Sequence, residues 1–303
     1  MSNLETVFNI AAVERDTGLS KDTLRVWERR YDFPKPGRDA NGERVYPQEQ
    51  VDKLRLIRRL LDLGQRPSKV IPSTSAELTT LLESYRATSA PGTPAVVEQE
   101  LMQYVKLHRS GELLAALHQG LMKQGLQRFV AETIAPLNEA IGEAWVRGEI
   151  DIPEEHLYTE QVQNILRGAI GASTTSNGRP RILLTTFPDE YHILGLLMAE
   201  ATLVPEGASC LSLGTRTPLA DIQSAAVGGK FDIVGLSFSV AYPARHAIEG
   251  LVELRDALPT HIGIWAGGAA LKDKQRRLPG IRVVTDLADT LTALREWRSV
   301  HST

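Results

Sequence analysis

The sequence predicts a multidomain chain in three parts: a small helical head with a β-wing, a central bundle of four helices, and a C-terminal α/β domain on a parallel sheet. Three observations carry this. The first 72 residues hold an excess of positive charge, 14 Lys/Arg against 11 Asp/Glu, whereas the rest holds 20 against 26. From Val96 to about Ala172 the apolar pattern is helical throughout. Beyond it, the apolar run Ile182 to Phe187 reads as a buried strand that ends in a His-bearing loop.

The head comes first. Phe8 to Thr17 reads as a short amphipathic helix that Gly18 breaks, and Ser20 stands as N-cap to a second helix, Lys21 to Arg30. Two helices joined by so short a turn make a helix-turn-helix. Lys21, Arg25 and Arg29 recur every fourth residue on one face, with Thr23, Trp27 and Arg30 close by, as a helix entering a major groove requires. Leu24 falls on the core side. Pro34 and Pro36 end that run, Arg38 to Tyr46 around Gly42 reads as a β-wing, and a basic helix follows from Gln48 to Leu63. The sequence Ser20-x-x-Thr23-Leu24-Arg25-x-Trp27-Glu28-Arg29, with the wing Arg44-x-Tyr46, resembles the MerR family of winged-helix regulators. That resemblance implies double-stranded operator DNA as partner. Lys21, Thr23 and Arg25 would meet the groove, and Arg25, Arg44 and Tyr46 the DNA backbone. Simple packing is the alternative for Trp27 and Tyr46, and for Trp27 it is preferred.

Residues 73 to 95 have linker composition around one helical piece, Leu78 to Tyr85. The bundle is then expected as Val97–His108, Gly111–Gln124, Leu126–Arg147 and Glu154–Ala172.

In the third part, Glu190-x-His192 with Gly195 follows the strand, placing His192 where an open α/β sheet binds ligands. Imidazole is a good donor to a transition metal, best when its second nitrogen bonds a carboxylate, and Glu190 is placed to supply one. Further on stand Ser237-Phe238-Ser239 and Gly267-Gly268. The set resembles the cobalamin-binding domain of methionine synthase and the base-off mutases, departing from its pattern at Ser239 and by Glu190 in place of Asp. The resemblance implies a flavodoxin-like (Rossmann-type) domain of five parallel strands, with His192 as lower axial ligand of cobalt and the glycines and Ser237 around the cofactor's nucleotide tail.

Trp145 is followed by Glu155-His156 at a spacing similar to that of the CarH-type subset of MerR regulators, which use adenosylcobalamin as a light sensor. The resemblance implies that Trp145 and Glu155 contact the upper axial adenosyl group and that His156 can reach cobalt once that group is lost. It also implies a tetramer in the dark that falls apart to monomer or dimer in light and releases its operator.

The expected division is residues 1–75 as winged-helix domain, 76–95 as linker, 96–177 as the bundle capping the cofactor, and 178–303 as the cobalamin-binding domain. A cobalamin- or other-ligand-sensing regulator without light response is the alternative, and a methyltransferase or mutase component a third reading. Against the last, no barrel-length domain is present to activate a substrate. The first residues lack a signal pattern and no apolar run approaches the roughly 18 residues a membrane span needs, so a cytoplasmic, membrane-free protein is expected. Cys210, the single cysteine, excludes an intramolecular disulfide and a Cys-rich metal site, and reads as inert core.

Overall fold

In a computed structural model of the chain, residues 7–39, 42–88, 96–173 and 178–301 are described. They fall into two compact units: Met1–Pro94 with Ile141–His156, and Ala95–Ala140 with Leu157–Thr303. The stretch around Trp145 and Glu155 groups with the head, while the rest of the bundle groups with the sheet.

In the first unit the chain enters as a strand, β1 (Val7–Asn9), and not as the helix expected from Phe8, because Phe8 pairs with Tyr46 across an antiparallel ladder. The helix starts two residues later. Asn9 Oδ1 accepts the Ala12 N–H at 2.8 Å, giving α1 (Ile10–Thr17), and Gly18 closes it at φ 65°. Ser20 caps α2 (Lys21–Tyr31) by accepting the Thr23 N–H at 3.1 Å, a contact that contributes about 1 kcal/mol. The wing forms as β2 (Gly37–Arg38) against β3 (Arg44–Pro47), followed by α3 (Gln48–Asp62) and a single turn, α4 (Pro67–Val70).

The helical piece expected over Leu78–Tyr85 is present and longer than expected. Residues 75–88 form α5 (Ser75–Thr88), whose Leu78 and Leu82 are buried with Leu24, Leu54 and Ile57 in the head's core. Local Ser/Thr content resembled a linker, but two leucines one turn apart suffice to dock a helix on α3. The remainder of that linker, 89–95, lies outside the described residues.

The bundle helices lie where their periodicity placed them. They are α6 (Val96–Lys106), α7 (Ser110–Gln124), α8 (Leu126–Phe129), a π-helical turn (Val130–Ile134), α9 (Ala135–Arg147) and α10 (Ile152–Ser173). In the second unit Leu113, Leu117, Phe129, Ile134, Val162 and Leu166 are buried.

The sheet is parallel and five-stranded in the order β5-β4-β6-β7-β8. Along the chain it runs β4 (Arg181–Thr185), α11 (Leu194–Leu203), β5 (Ser209–Gly214), α12 (Leu219–Gly228), β6 (Ile233–Ser237), α13 (Ala244–Ala257), β7 (Gly263–Gly267), β8 (Arg282–Val284) and α14 (Leu287–His301). Written by sequence rank, this is the 2-1-3-4-5 order of flavodoxin-like folds, whose direction of winding reverses between β4 and β6. Phe187 leaves the strand predicted for it. It turns into the core, fully buried, with its ring edge-on to Phe238 at 5.2 Å. Gln127 ties α8 to this domain by donating to the Thr202 carbonyl at 2.9 Å.

On β5, burial and then the charge of Glu200 push the Cys210 thiol up to about 12. Cys210 is expected to resist maleimide at pH 8 until the protein is denatured, because the thiolate is the reacting form. Native labelling as fast as that of a small thiol would show otherwise.

Candidate metal-ligand site and nucleic-acid face

The β4–α11 loop and the loop after β6 flank the point where the winding reverses, and the sheet's candidate ligands converge there. Glu190, only 1 % exposed, accepts from the His192 ring at Nδ1, 2.7 Å away, and from the His192 backbone N–H at 3.0 Å. From the other side Ser239 donates its backbone N–H at 2.7 Å and its hydroxyl at 2.9 Å to the same carboxylate. Burial pushes the Glu190 carboxyl up, but the bonds and charge of His192 with the Ser239 N–H outweigh it and hold it below the usual range. A buried carboxylate so supplied with donors stays charged. It therefore holds the ring through Nδ1, the arrangement in which Nε2 is the nitrogen a metal would use.

The His192 side chain is 45 % exposed, at the sheet edge where a metal-bearing ligand would approach it. A single imidazole suits a metal whose equatorial positions a macrocycle already fills. Glycine is required for the chain's own close packing beside this loop: a β-carbon on Gly195 would collide with the Ser237 hydroxyl, and one on Gly268, at φ 106°, with the backbone of Phe238. Gly267 lies against Val284. The exposed imidazole backed by a buried carboxylate fits a corrinoid.

The two departures from the family pattern are one contact. Ser239, where Leu is usual, bonds Glu190, where Asp is usual. Either change was visible in the sequence, but their meeting depends on two loops brought together by the β4–β6 pairing. Sequence reading missed the rim. Arg216, at φ 66°, lays its guanidinium 4.6 Å over the Tyr191 ring beside His192, and its backbone N–H bonds Thr186 Oγ1 at 2.9 Å. Tyr242 was missed too; burial and the charges of Asp189 and Glu190 push its hydroxyl up to about 12. No spacing rule marks either position.

Trp145, Glu155 and His156 belong to the first unit. Trp145 ends α9, half-buried, and Glu155 and His156 stand in the first turn of α10, with His156 Nε2 3.6 Å from Glu155 and its side chain 67 % exposed.

On the head, Leu24 and Trp27 face inward and the opposite side of α2 carries Lys21, Arg25, Arg29 and Arg30. Lys21 pairs with Glu14 at 3.4 Å and Arg25 with Asp22 at 3.3 Å. Thr23 shares a hydroxyl–hydroxyl bond of 2.8 Å with Ser20. In the wing, Arg44 meets both oxygens of Glu28 at 3.0 and 3.4 Å. Such half-exposed pairs are weak and exchange readily for phosphate. Tyr46 differs from the expectation of a backbone contact: it is fully buried, and its hydroxyl has no hydrogen-bond partner among the described residues. Its ring pairs through the ladder with Phe8, so packing, the alternative reading, describes it here, as it does Trp27.

A basic helix-turn-helix with a wing, followed on one chain by a helical bundle and a parallel sheet bearing a carboxylate-backed histidine, defines a DNA-binding regulator with a cobalamin-binding domain. Residues 8–72 match the MerR HTH family regulatory protein model and residues 97–167 the B12 binding domain model. The chain is 30% identical to the HTH-type transcriptional repressor CarH of Myxococcus xanthus, over 89% of this chain and 92% of that one. It is 30% identical to the repressor CarA of the same organism, over 82% and 81%. The chain belongs to this CarH/CarA family of MerR-type, cobalamin-binding transcriptional regulators. Among solved structures, the Methanosarcina barkeri monomethylamine corrinoid protein superposes with a TM-score of 0.54 at 14% identity, over 65% of this chain and 96% of that one, a likeness of fold. Among the described residues no helix is long and apolar enough to cross a membrane.

Proposed function

We propose that the protein is a light-responsive repressor, loaded with adenosylcobalamin, that binds its operator as a tetramer in the dark and lets go as smaller species in light. The observation that carries it is the buried Glu190 carboxylate clamped between Ser239 and His192, which presents one imidazole nitrogen to a metal on a chain that also carries a DNA-binding head. His192 would hold the cobalt, and Gly195, Ser237, Gly267 and Gly268 would lie around the nucleotide tail. When bound, the group supplies a cobalt–carbon bond weak enough for a visible photon to break. The family resemblance implies that Trp145 and Glu155 would contact the adenosyl group and that His156 would serve as a cobalt ligand in its absence. The protein binds and switches, without turnover of its own, in the cytoplasm where its operator lies.

Several heads on repeated half-sites raise effective concentration by orders of magnitude, so assembly controls occupancy. Lys21, Thr23 and Arg25 face the groove, and Arg44 exchanges Glu28 for a phosphate. Arg44→Ala is therefore expected to weaken binding to all duplexes alike and to flatten the salt dependence by a slope of about one, with cofactor loading unchanged. An intact salt slope would reject this register of the wing. The light response is tested by one absorption spectrum of the purified protein with adenosylcobalamin, before and after green light. Conversion to a stable new spectrum is expected, and a spectrum indifferent to light would leave a ligand sensor in its place.

A further inference from the structure

We infer that Arg59 couples the cofactor site to the DNA-binding head. The stretch from Ile141 to His156, which carries Trp145, Glu155 and His156, is also the seat on which α3 of the head rests. Arg59, on α3, lays its guanidinium 5.1 Å over the Trp145 ring and bonds Asp151 through Nη2 at 2.5 Å. Its side chain is only 15 % exposed. A planar guanidinium can stack and donate at once, which an ammonium cannot, and an indole is the best aromatic partner for it.

The contact is built from both sides. Val146, next to Trp145, packs against the head's core, and Ala144 and Ile150 are buried. The turn that presents Asp151 is itself held: the Asp151 N–H bonds Glu154 at 2.9 Å, the Glu155 N–H bonds the Asp151 carbonyl at 3.1 Å, and Arg147 pairs with Glu143 and Glu149. Asp151 thereby tethers α3 to the residue that precedes α10. Trp145 is a poor candidate for a purely structural residue, since one side chain serves the head through Arg59 and, on the reading proposed above, the cofactor as well.

This inference rests on that reading and extends it. A group packed on Trp145 would restrain the indole and, through the stack, Arg59, which sits on the helix that completes the core beneath α2. Cofactor occupancy and DNA binding then share one element, and each must favour the other by the same factor. Loss of the upper group frees the indole and loosens the seat of the head. Arg59 touches neither cofactor nor DNA in this scheme; it is a positioning residue.

The test uses the full-length protein in the dark and a duplex selected from a random-sequence pool by the adenosylcobalamin-loaded parent. DNA affinity is measured with and without adenosylcobalamin for the parent, Arg59→Ala and Asp151→Asn. The parent is expected to bind DNA more tightly when loaded. Arg59→Ala is expected to load with an unchanged spectrum and to keep the unloaded DNA affinity, while its gain on loading shrinks at least about fivefold. Asp151→Asn, which alters an exposed carboxylate and leaves the ring contact, is expected to lose part of that gain and carries the test should Arg59→Ala fail to fold. An undiminished gain in both variants overturns the coupling, as does an equal fall in loaded and unloaded affinity, which marks Arg59 as structural only. A parent that loads but gains nothing overturns the upper-face reading of Trp145 and this inference together.

Discussion

His192→Ala is expected to cost the protein most of its hold on cobalamin. On the proposed reading Nε2 of His192 is the donor to the metal, and its bonds to Glu190 serve to aim it. Loss of a supporting partner alone costs roughly 10–100-fold in metal affinity, so Glu190→Ala sets the lower bound and His192→Ala exceeds it. Ser239→Ala removes a hydroxyl donor but leaves the Ser239 N–H bond, and is expected to fall below both. Equilibrium dialysis with hydroxocobalamin and the absorption spectrum read the series. The alanine at 192 should leave any residual cofactor with the blue-shifted spectrum of cobalt lacking a lower nitrogen. Parent-like affinity and spectrum in His192→Ala would remove the ligand assignment.

Gly268→Ala is expected to be the most damaging single methyl group in the sheet domain. Gly268 lies at φ 106°, where an L side chain costs of order 1–3 kcal/mol, and a β-carbon there would drive into the backbone of Phe238. That backbone cannot step aside, because the Phe238 N–H bonds the Gly267 carbonyl at 2.9 Å and its ring is buried against Phe187. A loss of about 3 kcal/mol or more follows, which lowers the melting temperature by roughly 6–12 °C in a unit of this size. Gly111→Ala is the control. Gly111 sits in α7 with nothing within 4 Å of the added carbon, and alanine there is expected to stabilise slightly. Equal melting of Gly268→Ala and the parent would mean that Phe238 does not hold the strand end in this way.

The sequence was legible where a local rule governs the structure. Ser20 and Gly18 fixed the turn between α1 and α2, the 3.6 period placed all four bundle runs, and the loop after β4 brought Glu190 and His192 to the sheet's ligand-binding edge. Expectations failed where a distant partner overrides local preference. Phe8 became a strand because Tyr46 pairs with it, and the helical piece over Leu78–Tyr85 docks in the head's core because Leu78 and Leu82 pack there with Leu54 and Ile57. Tyr46, offered to DNA by its place in the wing, is held in the core by the same ladder. The Glu190–Ser239 clamp and the Arg59–Trp145 stack join residues 49 and 86 positions apart in sequence, with no motif to announce either.

Mass in solution tests the light-released assembly most directly. Adenosylcobalamin-loaded protein is run on size-exclusion chromatography with light scattering, once in the dark and once after green light, with the selected duplex added to a portion of each. A tetramer that carries the duplex in the dark and a monomer or dimer that has released it after illumination is the expected result. One mass, with the duplex equally bound before and after light, would contradict it.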